Sequence, residues 1–332
     1  MRFRVLTVDS NRHLLVVHTH HIALDGWSEQ VLMADLCAAY RTRTPSAETT
    51  ETAVLSLVSL EARQLDDRVA GDLPYWRDQL AEAPPILPKP VGPGEATRRE
   101  AVVLVPAATV TGLAATSAAQ GIPLSATLMA AAAMSLAQQF DADTMTLGAV
   151  ASARSELTEH AVGYFVNPYA VPLRTLGPPL TVLRECAARV LDGLQHAGTP
   201  FDEIVQRLSP ARDRHPWLQT LVVLQAPYVS DDLGDGATVT SVRVSAPTTA
   251  TELTVEAFPT KDGAWECVLV WRADGLDELA GEAITHSLAE HLGALATIAG
   301  PEAGASAVAI FPSSSPMTDL PVATTAGGGD ER

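Results

Sequence analysis

Eleven residues, His18 to Ser28 (His-Thr-His-His-Ile-Ala-Leu-Asp-Gly-Trp-Ser), place three imidazoles, a carboxylate and a glycine where an apolar run gives way to helical spacing. The run before them, Leu14 to Val17, predicts a buried strand, because consecutive aliphatic and β-branched residues suit a sheet position covered on both sides. After them Val31, Leu32, Leu36, Ala39 and Tyr40 recur at helical spacing and predict a helix over 27–43. Asp25 and Gly26 supply the turn and helix-start chemistry: a short acceptor for free backbone N–H groups, then a residue tolerant of unusual dihedrals. Alternation along a strand predicts that His20 and His21 face opposite ways, one toward a cavity and the other into the packing. Histidine titrates near neutrality, so the cavity-facing ring can take a proton from an amine or alcohol. Asp25 either steadies the loop through an arginine or orients that ring.

Two other readings of the same residues stand beside this one. A pair of histidines in a strand is commonly plain packing. The full pattern His-His-x-x-x-Asp-Gly is rarer, arising by chance in about one chain in a couple of thousand at ordinary residue frequencies. Its strand-to-helix junction is also where α/β ligand sites are commonly built. A metal reading rests on His18 and His20, whose spacing puts two rings on one strand face. The further Asp and His of metallo-hydrolase patterns are replaced here by Ile22 and Ala23.

The chain has 332 residues, 47% of them apolar, enough for two lobes or one large α/β unit. A net charge of −17 argues against nucleic acid, which needs a basic face. Cys37, Cys186 and Cys267 are far apart, show no metal spacing, and are expected as buried thiols of a cytoplasmic protein. No signal-peptide core opens the chain, and the alanine-rich stretch 126–137 is too short to cross a bilayer.

Along the chain, residues 3–8 and 13–22 predict a hairpin and 53–68 a second helix, with Leu57, Leu60, Ala62 and Leu65 inside. Pro74 opens a third helix, at a position that tolerates proline. The proline- and glycine-rich stretch 83–94 marks a domain boundary. Beyond it a strand at 101–105 precedes helices at 107–120 and 124–140, divided by Gly121-Ile122-Pro123. A strand at 144–151 follows, then Arg154 and the stretch Val162-Gly163-Tyr164-Phe165-Val166-Asn167. A helix at 180–195, strands at 220–225 and 264–271, and a helix at 277–297 complete the order. From Ser313 the Ser-, Thr-, Pro- and Gly-rich composition predicts disorder.

His20-His21-Ile22-Ala23-Leu24-Asp25-Gly26-Trp27-Ser28 resembles the active-site motif of nonribosomal peptide synthetase condensation domains, members of the chloramphenicol-acetyltransferase-like acyltransferase superfamily. Tyr75-Trp76-Arg77-Asp78-Gln79-Leu80, Val162 to Asn167, His196 to Val205 and Arg212 to Gln219 are similar to further motifs of that family in the same order, and the resemblance implies that Val162 to Asn167 is a strand. The resemblance implies an α/β (α+β) two-lobed chloramphenicol-acetyltransferase-like fold. Residues 1–95 form a partial first lobe, 96–312 the second, and 313–332 a tail. The resemblance implies an incomplete first lobe, because family members carry a long segment ahead of the motif.

The resemblance further implies that His21 is catalytic, that His20, Asp25 and Gly26 support the loop, and that Arg154 pairs with Asp25. The implied reaction joins aminoacyl or peptidyl groups held as thioesters on phosphopantetheine arms. Donor and acceptor peptidyl carrier proteins supply those arms, so no cofactor is bound directly, and other synthetase modules are partners. An inactive docking or scaffold module is the alternative, and an epimerisation domain a variant sharing the two histidines.

Overall fold

The computed structural model describes residues 1–44, 51–81, 83, 87, 97–156, 158–209, 215, 217–226, 230–242, 244, 249, 251–298 and 309–311. The proposed junction at 95 and the tail from 313 fall outside these residues, as does most of 83–94.

A hairpin of β1 (Arg2–Thr7) and β2 (His13–His18) opens the chain, followed by a single 3-10 turn (His21–Ala23) and α1 (Gly26–Thr42). β2 does not meet the expectation of burial: Leu14, Leu15 and Val16 are exposed. The reason is pairing. Among the described residues β2 bonds only to β1, and a two-stranded sheet has two open faces. The strand also ends at His18, short of the predicted 22.

The second and predicted third helices are one, α2 (Glu51–Leu80), with Pro74 inside it. Proline removes one ladder bond. Buried Val69, Trp76 and Leu80 lie on both sides of Pro74, and their packing outweighs that loss. Leu65 is half-buried; the surroundings of Leu57, Leu60 and Ala62 lie outside the described residues.

The rest builds around a seven-stranded mixed sheet. Its strands are β3 (Arg98–Val105), β4 (Thr144–Ser152), β5 (Val166–Arg174), β6 (Thr220–Leu224), β9 (Leu253–Pro259), β10 (Trp265–Arg272) and β11 (Ala309–Phe311), in the order β11-β3-β10-β9-β6-β4-β5. The β6 pairings with β9 and β4 are parallel and the others antiparallel. A separate hairpin, β7 (Ser230–Gly234) and β8 (Ala237–Thr240), packs beside α1.

Helices α3 (Ala107–Gln120), α4 (Leu124–Phe140), α5 (Pro179–Gln195) and α7 (Glu278–Ala296) pack on one another and on this sheet; α6 (Phe201–Leu208) packs on β5 and α2. The boundaries of α3 and α4 agree with the sequence. Gly121 closes α3 with a left-handed φ of 65°, and Pro123 starts the next helix. Every residue from Ala126 to Leu136 is buried. A helix apolar on all sides belongs at a centre, and alanine lets its neighbours approach closely. Cys37, Cys186 and Cys267 are buried free thiols.

Candidate active site

The 3-10 turn puts His20 and His21 to different uses, through hydrogen bonding rather than strand alternation. His20 has extended dihedrals, and its Nδ1 accepts a bond from Ile22 N–H at 3.1 Å, capping the turn. That nitrogen therefore carries a lone pair. His21 Nδ1 lies 2.9 Å from the Leu24 carbonyl oxygen, which only accepts, so this Nδ1 carries the hydrogen. In the neutral ring His21 Nε2 is then the basic nitrogen. The ring is exposed and meets Tyr164 edge-on, with centroids 5.4 Å apart.

Asp25 is the fixed point of the bend. It is 1% exposed and caps α1: Oδ1 accepts from Ser28 N–H at 2.7 Å and from Arg154 Nη2 at 2.8 Å, and Oδ2 from Phe165 N–H at 2.9 Å. Burial alone would push its carboxyl up. The Ser28, Phe165 and Arg154 hydrogen bonds together outweigh burial and hold it below the usual carboxylate range. Arg154 is itself 7% exposed on its side chain. Its Nη1 donates to the Thr158 and Ala161 carbonyls, its Nη2 also to Ser28 Oγ, and its guanidinium lies 4.5 Å from the Phe165 ring centroid.

Residues of the motif with no assigned part complete this joint. Ser28 Oγ donates to the Gly163 carbonyl at 2.6 Å and accepts from Gly163 N–H at 2.9 Å, while Asp25 N–H bonds the same carbonyl. Trp27 Nε1 donates to the Glu159 carbonyl. Gly163 cannot be replaced by a larger residue without movement, since a Cβ there would lie 2.5 Å from the Phe165 ring. The stretch from Val162 that the resemblance implies as a strand is therefore a docking turn up to Phe165, and β5 begins only at Val166. Asn167, at the start of β5, anchors the next loop: its amide donates to the Ala197 and Thr199 carbonyls and its Oδ1 accepts from Phe201 N–H.

The structure thus brings Asp25, Arg154 and the motif's serine into one buried network, with His20 and His21 on the turn just before it. Gly26, at the first position of α1, faces Gln225 just past β6: a Cβ there would sit 3.8 Å from Gln225 Oε1. His18 and His20 stand without a third ligand, and among the described residues no group of three His, Cys, Asp or Glu side chains is placed to hold a metal ion.

In comparison with known proteins, the family model described as Condensation domain matches residues 1–315. Isonitrile lipopeptide synthase of Mycobacterium tuberculosis is 28% identical over 257 residues, 71% of this chain and 10% of its own length. Phosphinothricin tripeptide synthetase PhsB of Streptomyces viridochromogenes is 28% identical over 239 residues, 68% of this chain and 20% of its own length. The chain therefore spans a fifth or less of these curated relatives. Among solved structures, the first condensation domain of the calcium-dependent antibiotic synthetase superposes with a TM-score of 0.73 at 18% identity, over 91% of this chain and 68% of that one. A fold shared at that level, a pinned His-His bend and a family match across nearly all of its residues lead to one conclusion: this chain belongs to the condensation-domain family.

Proposed function

We propose that this chain forms an amide bond between two acyl groups delivered as thioesters by carrier proteins, with His21 as the catalytic residue. The observation that carries the proposal is the His21 ring. Its Nδ1 is spent on the Leu24 carbonyl, its Nε2 has no hydrogen-bond partner among the described residues, and the ring stands exposed on a bend held by buried Asp25 and Arg154.

In the reaction the acceptor's nitrogen lone pair attacks the donor thioester carbon. The C–N bond forms as the carbonyl pair moves to oxygen. His21 Nε2 takes the proton from the nitrogen, the C–S bond breaks with its pair going to sulfur, and the proton passes to that thiolate. No protein nucleophile takes part, so the remaining contribution is positioning of the two arms. His20, Asp25, Gly26 and Arg154 are supporting residues: they hold the bend and do not react. Donor and acceptor carrier proteins with phosphopantetheine arms are the partners this reading requires. Support comes from the family match and from relatives named as a lipopeptide synthase and a tripeptide synthetase.

The test is a condensation assay with a donor and an acceptor loaded on separate carriers. Amide product is expected with the unaltered chain. His21→Ala is expected to lower the rate by about 100-fold or more, the usual scale for removing a general base, with an unchanged thermal midpoint. Equal product from both proteins would remove His21 from this role. Carrier binding without product from the unaltered chain would favour the docking reading.

A further inference from the structure

Strands β6 and β9 run parallel and bring Gln225 and Glu256, 31 residues apart, side by side: Gln225 Nε2 donates to Glu256 Oε1 at 2.6 Å. Both residues are half-buried, whereas Leu253, Val255 and Ala257 of the same strand are buried in the core, so Glu256 lies on the sheet's other face. Gln225 is just past the C-terminal end of β6, with its Oε1 toward Gly26. The pair therefore sits against the first residue of α1, five residues after His21. Among the described residues Glu256 has no cationic partner, and its Oε2 has no hydrogen bond.

A cross-strand polar pair returns about 0.2–1 kcal/mol, and a neutral pair would do as well. What the carboxylate adds is a negative charge, oriented by one amide, beside the bend that carries the reactive ring. On attack the acceptor nitrogen of the proposed condensation passes from neutral to positively charged, and such a charge is stabilised by a fixed anion at its side. A hydroxyl acceptor must lose its proton as it attacks and has no comparably stable cation to offer.

We propose that Glu256, held by Gln225, receives the nitrogen end of the acceptor and makes this a site for amine rather than hydroxyl acceptors. This rests on the condensation reading, which already takes an amine acceptor, and adds the residue that selects it. The proton path is the one through His21.

The test uses binding, so that it does not depend on turnover. Two unreactive acceptor mimics, alanyl-aminopantetheine and its lactyl counterpart with hydroxyl in place of amine, are titrated calorimetrically against the full chain. The amine mimic is expected to bind about tenfold more tightly, the scale of one charge-assisted hydrogen bond. Glu256→Gln is expected to bring the two mimics within about twofold, and Gln225→Leu, which frees the carboxylate, to give an intermediate ratio. A purely structural part for the pair would weaken both mimics alike and leave the ratio unchanged, which would overturn the proposal. So would equal binding, or no binding, by the unaltered chain. An amine preference lost in Glu256→Gln but accompanied by no amide product from loaded carriers would support the amine site and sink the condensation reading.

Discussion

Asp25 uses both carboxylate oxygens and is sealed from water, so its charge matters to folding more than to any reaction. Replacing it by Ala leaves the Arg154 guanidinium buried without its counter-ion, which costs about 3–5 kcal/mol. The pH dependence has a definite sign. The folded carboxyl is held below its ordinary value, so its contribution is complete at neutral pH and is lost as pH falls below about 4 toward the folded pKa. Denaturant titrations at pH 7 and pH 3 are therefore expected to show a large stability gap between the unaltered chain and Asp25→Asn at pH 7 and a smaller one at pH 3. At this scale the sequence shows the residue types but not their bonding. The His-His-x-x-x-Asp-Gly pattern marks the bend. That His20 accepts through Nδ1 while His21 donates through the same atom follows from a 3-10 turn that periodicity does not reveal. Glu256 and Gln225 carry no local signal, because only the parallel register of their strands joins them.

Elements are tied together here by short polar stitches as well as by packing. Asp72 on α2 accepts from His196 Nδ1 at 2.8 Å and from Thr199 Oγ1 at 2.5 Å, while Tyr75 stacks on the His196 ring, with centroids 3.9 Å apart. Asp72→Ala removes both bonds at once and is expected to lower stability by about 2 kcal/mol in denaturant titration. Gly163→Ala acts on the docking turn instead: its Cβ pushes Phe165 away from Arg154. Condensation is expected to fall by about tenfold or more, with His21 intact, as measured in the same carrier assay. The sequence shows α3 and α4 well, since Gly121 and Pro123 punctuate them. It fails at α2, where a proline normally read as a start is absorbed by tertiary packing. The β7–β8 hairpin and strand β9 also escape it; β9's buried residues alternate, but its intervening residues are mixed polar and apolar, so no clear period stands out.

Across the whole molecule, order is unevenly distributed. β10 lies between β3 and β9 and is buried along most of its length, whereas every residue of β1 is exposed. Hydrogen exchange is expected to follow that gradient: amides of β9 and β10 open only with global unfolding, and those of β1 and β2 exchange orders of magnitude faster. Comparable protection in both would contradict the gradient. The clamp on the histidine bend also arrives late as the chain is made, because Arg154 follows Asp25 by 129 residues. At about 5–20 residues per second, translation leaves the bend without it for roughly 6 to 26 s. During that interval the nascent chain carries both histidines of the bend but not the arginine that fixes it.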